Sequence, residues 1–475
     1  MADKKSEAKK LQEKLTHKWK NVWEEVDEKG KKEIFEVSER YKTFLDVGKT
    51  ERETAREIVK QAIADGYVSL DEVIKKGSVK TGDKIYATNK DKGVAMFIIG
   101  KEPITSGMKI VGSHIDVPRL DLKPSPLYED TDLAFLKTHY YGGVKKYHWV
   151  AIPLALHGVV VTKDGERKDI VIGEDENDPV FMINDLLIHL SKDQLAKKMA
   201  EGITGEGLNM LVGSIPYADN EISEKVKLNV LSILNEKYGI VEEDFVTAEF
   251  EVVPAGKARD IGFDRSLVGA HGHDDRVCAY ATLEAMLDMK GSEKTAVGLY
   301  VDKEEVGSQG NTGMQSRFFE YAVSEILALQ EDYSELKLKR AMANSKVLSA
   351  DVGAALNPNF PEVMEKRNAA NLGKGVVLVK YTGARGKSGC NDANAEFISE
   401  VRHLFNDQGI VWQTGELGKI DQGGGGTIAY ILANYGMEVV DCGVAVMGMH
   451  APYEVVSKAD VYMTKKAYKA FMETK

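Results

Sequence analysis

The sequence predicts an α/β protein, a doubly wound mixed sheet flanked by helices, interrupted by an inserted β-rich domain. Two observations carry that prediction. After Asp274, short apolar runs alternate with helical patterns, as in a sheet covered on both faces. From about Lys123 to Ala255 the alternation stops, and short strands follow one another with turn signals between them. A length of 475 residues exceeds one ordinary domain and accommodates both parts. The expected division is 1–122 with 256–475 as one unit and 123–255 as the insert.

The elements follow in order. The first 80 residues read as helices, with Leu15, Trp19 and Trp23, and later Ala55, Ile58, Val59 and Ala62, recurring at helical spacing. Lys4 to Lys20 carries both charge signs, as a solvated helix face does. KIYAT and GVAMFIIG flank the turn Asn89-Lys90-Asp91-Lys92 and read as a hairpin. MKIVGSHID is a buried strand ending in polar residues. In the insert, WVAIPLAL, GVVVT and KDIVIG are strands, with a turn at Lys163-Asp164-Gly165 and few helices before Leu186. Beyond it, DRVCAYATLEAML is helical, AVGLYVD a strand, SRFFEYAVSEILAL helical and KVLSADV a strand. GVVLVKY, a helix near Ala393–Phe405, GIVWQTG, a helix from Thr427, EVVDCGVAV and a final helix complete the chain.

Composition narrows the function. The balance of 63 Lys+Arg against 74 Asp+Glu gives −11, which leaves no basic excess to neutralise phosphates and argues against a nucleic-acid partner. The three cysteines, Cys278, Cys390 and Cys442, are widely spaced and form no CxxC pair, so neither a disulfide framework nor a thiolate zinc site is expected. The N-terminus is charged and lacks a signal peptide's apolar stretch, and no run of roughly 18 apolar residues could span a bilayer. The expectation is a cytoplasmic protein without a membrane partner.

Open α/β sheets bind ligands at the carboxyl ends of their strands. Five strand-end clusters here contain metal-ligand residue types: His114 and Asp116 in GSHIDVP, Asp274 and Asp275 in GHDDR, Glu304 and Glu305 in VDKEEVGS, Asp351 in LSADVG, and His450 in GMHAP. A lone histidine after an apolar run is more often a satisfied structural residue, but this ordered set is specific. Two divalent ions about 3.5–4 Å apart need a bridging carboxylate and charge-balancing ligands. His114 and His450 supply two imidazoles, and Asp116 is placed to accept the other ring N–H of His114. Of the adjacent pair Glu304-Glu305, one carboxylate can ligate while the other serves as general base. A nitrogen and oxygen donor set suits two Zn2+ per subunit, with Co2+ or Mn2+ compatible by geometry.

The order and wording of these clusters resemble the aspartyl aminopeptidase family of dinuclear zinc metallopeptidases, from about Ser38 to the C-terminus and including the insert. The resemblance implies a zinc exopeptidase-like fold and an aminopeptidase, a hydrolase that removes the N-terminal residue from peptides with a free N-terminus by metal-activated water. It implies that His114 and Asp351 hold the first ion, Glu305 and His450 the second, and Asp274 bridges them. Asp116 would orient His114, and Glu304 would be the general base. It further implies that 1–122 and 256–475 form the catalytic domain. The insert 123–255 would be a dimerisation domain, and the dimers of this homo-oligomer would assemble into a dodecamer. His189 in LLIHLSKD would reach a neighbouring subunit's active site. Two departures stand out: His450 is followed by Ala451, Pro452, Tyr453 and Glu454 in place of the family's Ser and Arg-Glu, and Lys380 stands only near the family's acid-recognising lysine.

Other readings stand beside these. His271 and His273 look like a chelating pair, but a tight turn explains the intervening glycine. Asp275 would support the loop after the bridge. Gly423 to Gly426 lack the Lys-Ser/Thr of a phosphate loop, and Trp149 and Trp412 read as core or interface anchors. A metal-dependent amidohydrolase or deacylase could use the same dinuclear site, and N-blocked substrates separate it from an aminopeptidase. A non-catalytic assembly protein of this fold would lack activity altogether.

Overall fold

The computed structural model describes residues 6–219 and 221–474. Its centre is a nine-stranded mixed sheet in the order Val68–Ser69, Lys84–Thr88, Val94–Ile98, Thr295–Val301, Met108–His114, Lys346–Ser349, Glu438–Gly443, Val376–Val379 and Trp412–Thr414. Thr295–Val301 and Lys346–Ser349 both run parallel to Met108–His114, so three adjacent strands end on the same side. Alternation along the strands explains the two layers of helix. Met96 and Ile98 join one buried cluster with Phe44, Ile58, Tyr280 and Phe471, whereas Ala95 and Phe97 join another with Phe319, Ile326 and Leu338. The first cluster is roofed by helices Glu28–Val47, Glu51–Ala64, His273–Asp288 and Lys458–Glu473, the second by Phe318–Gln330 and Glu335–Ala343. The mixed, doubly covered sheet is the predicted fold class.

The hairpin falls where expected. Lys90 and Asp91 both take positive φ, 53° and 57°, as a two-residue turn between right-twisted strands requires. Two local expectations fail. Leu15, Trp19 and Trp23 do not share a helix: Glu7–Leu15 ends at Thr16, and a new helix, Val22–Glu25, starts after Asn21, whose side chain caps it. Trp19 instead packs edge-on against Trp412, with ring centroids 5.3 Å apart. WVAIPLAL and GVVVT are not separate strands either. One strand, Leu154–Val161, spans Gly158, while Trp149–Pro153 lies outside it, with Ala151 at φ 60° and Pro153 unable to donate.

A six-stranded antiparallel sheet forms from Arg119 to Pro254, in the order Arg167–Ile172, Leu154–Val161, Glu249–Pro254, Arg119–Asp130, Leu133–Tyr141 and Asn209–Gly213. It has its own core, with Trp149 fully buried beside Leu136, Leu156 and Phe250. The helix Lys225–Tyr238 packs on it and was not anticipated from the sequence. A third sheet of five strands runs Arg259–Ile261, Leu267–Ala270, Glu454–Ser457, Ala445–Met447 and Gly353–Ala354. EVVDCGVAV accordingly divides between two sheets, Glu438–Gly443 in the first and Ala445–Met447 in the third. Cys278, Cys390 and Cys442 are free thiols. Among the described residues no helix is long and apolar enough to cross a membrane.

Candidate metal centre

The three parallel strands deliver three of the five clusters to one place. His114 ends its strand, Glu304 and Glu305 open the turn after Thr295–Val301, and Asp351 follows Lys346–Ser349. The other two arrive differently from the expectation. Asp274 follows Leu267–Ala270 and His450 follows Ala445–Met447, both strands of the third sheet, so these two residues do not sit at the ends of parallel strands in the main sheet. Two sheets converge on one cavity of about 330 Å³, lined by Asp274, Glu304, Glu305, Asp351 and His450 among others.

Ligand atoms within 4.8 Å of one another define two overlapping triads, His114 with Glu304 and Asp351, and His114 with Asp274 and Glu305. Asp274 divides its carboxylate between the imidazoles. Its Oδ1 lies 3.2 Å from His114 Nε2 and its Oδ2 3.2 Å from His450 Nε2, while His450 Nε2 is also 3.5 Å from a Glu305 oxygen. Glu304 Oε2 stands 3.9 Å from His114 Nε2.

The outward nitrogens are fixed by main-chain carbonyls. His114 Nδ1 donates to the Asp116 carbonyl at 3.0 Å, and His450 Nδ1 donates to the Gly143 carbonyl at 2.8 Å. A carbonyl can only accept, so Nδ1 carries a proton in both rings and Nε2 is the nitrogen aimed at the carboxylates, where it gives up its own proton to ligate a cation. That arrangement, with nitrogen and oxygen donors only and a buried Glu305 oxygen without a hydrogen-bond partner, fits a zinc site.

Electrostatics agree with this donor set. Burial raises Glu304 to about 7, and burial with the nearby Asp274 charge raises Glu305 well above the usual range. Burial also raises Asp351. Burial alone would lower His114 and His450, but hydrogen bonds to carboxylates outweigh it, and His450 stands at about 10. Asp274 runs against its burial and is held low by the two histidines. Crowded carboxylates of this kind are relieved by divalent cations, which compete with protons for the same atoms.

Asp116 is completely buried. Its Oδ1 accepts from the Glu304 amide at 3.1 Å, and its Oδ2 accepts from the Glu305 amide at 3.2 Å and from the Tyr141 hydroxyl at 2.8 Å. Oδ1 also lies 3.3 Å from His114 Nδ1.

Sequence reading missed several neighbours. Tyr141 and Gly143 come from the end of Leu133–Tyr141 in the six-stranded sheet. Gly142, between them, has φ 75°, which strains a residue with a Cβ, and an added Cβ would crowd the Glu305 carboxylate at 3.2 Å. Glu454 is buried behind Asp274 and His450 and was noted in the sequence only as a departure. A glycine pair directly after a strand was the available signal for the first group.

The remaining expectations resolve as follows. His189 lies on the exposed turn Ile188–Leu190, away from the cavity lining. The chelating-pair reading fails: His273 bonds Tyr41 and the Val268 carbonyl, and His271 packs edge-on to Trp149. Neither joins a triad among the described residues. Gly272 has φ 68°, and an added Cβ would meet Arg276 and Val117, so the turn accounts for the glycine. Gly424 to Gly426 line the cavity, whereas Lys380 is exposed and does not.

Comparison with known proteins places this geometry. The family model described as aminopeptidase I zinc metalloprotease (M18) matches residues 44–472. A relative from Clostridium acetobutylicum, named a probable M18 family aminopeptidase 1, is 59% identical over 459 residues, covering 96% of this chain and 99% of its own. The crystal structure of an M18 family aminopeptidase from Thermotoga maritima superposes with a TM-score of 0.92 at 47% identity, covering 96% of this chain and 100% of that one. The mApe1 dodecamer of S. cerevisiae shares the fold, with a TM-score of 0.73 at 21% identity over 92% of this chain and 96% of that one.

Proposed function

The chain belongs to the M18 family of aminopeptidase I zinc metalloproteases, and on that premise we propose the roles of its site residues. The protein is a zinc-dependent aminopeptidase. His114 and Asp351 would hold one zinc ion and Glu305 and His450 a second, with Asp274 serving both. The observation that supports this most is the division of the Asp274 carboxylate between His114 and His450 at 3.2 Å each.

When bound, the ions supply Lewis-acid polarisation of the scissile carbonyl and acidify water. The residues do the rest. Asp116 holds the His114 ring through its main-chain carbonyl and the Glu304-Glu305 turn through its two carboxylate oxygens. Glu304, whose carboxylate stands beside the triad atoms, would take the proton of the attacking water and return it to the leaving amine. The substrate's free α-amino group would be held near a cation and a carboxylate, which would enforce exopeptidase action.

The cavity wall suggests the substrate class. Val352, Ala354, Ala370, Val379, Leu417 and Met449 line it, and no Lys or Arg does among the described residues. With two dications balanced by four carboxylates, an N-terminal Asp or Glu side chain would find Glu416 and no basic side chain in the wall. Uncharged N-terminal residues are the preferred substrates.

Residues 123–255 serve as the dimerisation domain of a homo-oligomer, with the dodecamer as its assembly. The exposed Leu186, Leu187, Ile188, Leu190, Leu195 and Met199 support this, as an apolar surface of that extent marks a contact site. So does the dodecameric assembly of the yeast protein of the same fold. Within it, His189 stands on the surface presented to a neighbour.

The test is a panel of aminoacyl substrates, free and N-blocked, assayed after chelation and re-addition of zinc, cobalt or manganese. Hydrolysis of free Leu and Met substrates over Asp and Glu, with none of the blocked ones, is expected. Preference for acidic residues would overturn the specificity reading.

A further inference from the structure

Asp274, in the first turn of His273–Asp288, and His450, after the strand Ala445–Met447, lie far apart in the chain, and their main-chain amides point at one side chain. Glu454 Oε2 accepts from the Asp274 amide at 3.1 Å, and Glu454 Oε1 accepts from the His450 amide at 2.6 Å. The two contacts engage both oxygens of the carboxylate in a protein-enclosed position, since Glu454 is 1% exposed. Its backbone is equally fixed, because Glu454 opens the strand Glu454–Ser457 and pairs in register with Ala270, four residues before Asp274.

His450 needs such a restraint. Its φ of 63° lies in the left-handed region, which strains a residue with a Cβ and persists where neighbours enforce it. The Glu454 bond to its amide and the Gly143 bond to its ring are the contacts that enforce it here.

We propose that Glu454 is a positioning residue that sets the spacing between Asp274 and His450 and thereby governs occupancy of the second cation position. The proposal rests on the ligand reading above, in which Asp274 and His450 share that position. Glu454 touches neither substrate nor cation. A carboxylate is required because both of its partners are N–H donors. A carboxamide offers one oxygen and would turn its NH2 against the other amide.

The experiment is zinc titration of Glu454→Gln and Glu454→Asp against the wild type, by chelator competition and metal analysis after gel filtration, with thermal melts and steady-state kinetics alongside. Aspartate keeps both oxygens but is one methylene short. The expected result is a folded variant whose first equivalent binds as in the wild type and whose second binds about tenfold or more weakly. kcat should fall with KM little changed, and added zinc should restore kcat, a rescue that a purely structural defect would not show. Two equivalents at wild-type affinity with wild-type kcat in a folded variant would overturn the proposal. So would unfolding of both variants, which would make Glu454 a scaffold residue. Failure of the wild type to bind a second equivalent would instead overturn the underlying ligand reading.

Discussion

Tyr141 reaches out of the six-stranded sheet to donate a 2.8 Å hydrogen bond to Asp116, the carboxylate that holds the Glu304-Glu305 turn. The Arg119 guanidinium lies over the Tyr141 ring at 3.9 Å and fixes its direction. The six-stranded sheet therefore reaches the site through the Tyr141 phenol as well as through the Gly143 carbonyl. Tyr141→Phe keeps the ring and removes only the donor. It should lower kcat by about tenfold with KM near the wild-type value, measured on a Leu substrate. Wild-type kcat would show that the bond does not orient the site.

Glu304→Gln removes the proton acceptor while keeping size and main-chain contacts. Hydrolysis should fall by about two to four orders of magnitude, with both zinc equivalents retained in metal analysis. Near-normal turnover would assign the base elsewhere.

His189→Ala should lower activity several-fold in the assembled protein without changing zinc content. Sedimentation would verify that assembly is intact. Unchanged rates in an intact oligomer would remove His189 from the neighbouring site.

A fourth expectation concerns pH. His157 is buried, with Nδ1 2.8 Å from Glu53 and Nε2 3.1 Å from Glu174, so both nitrogens face carboxylates. Burial alone would lower its pKa, but the Glu174 and Glu53 hydrogen bonds hold it above the ordinary 6.5. A histidine raised on folding stabilises fully below its unfolded pKa, and the contribution disappears as pH rises through the folded value. Glu174 is depressed, despite its burial, by His157 and Lys49, so its contribution is lost instead as pH falls below the ordinary carboxylate range. The wild type should melt several degrees above His157→Gln at pH 6, and the gap should narrow by pH 9. An equal gap at both pH values would refute the charge assignment.

The site was legible where chemistry and strand ends coincide. His114, Glu304, Glu305 and Asp351 each follow an apolar run that had to be a strand, and their residue types admit few uses when taken together. The convergence of Asp274 and His450 from a separate sheet was not legible, because it depends on antiparallel pairing between segments far apart in the chain. Glu454 lies 180 residues from the amide it accepts, and His450 lies 307 from its Gly143 partner. Contacts of that range leave no periodicity. The helix Lys225–Tyr238 escaped for a different reason: its apolar residues surround the axis and present no clear stripe, and only Val226 is buried within the chain.

The bond between His450 and the Gly143 carbonyl fastens a proposed cation ligand to the edge of the six-stranded sheet. On the proposed ligand reading, seating that sheet and filling the site would draw on one shared free energy, and reciprocity would require that each favour the other by the same factor. A bound cation would act as a clasp as well as a reagent. A chain stripped of it should open first along the seam between its sheets, and contacts that press the six-stranded sheet into place should tighten the grip on zinc without touching it.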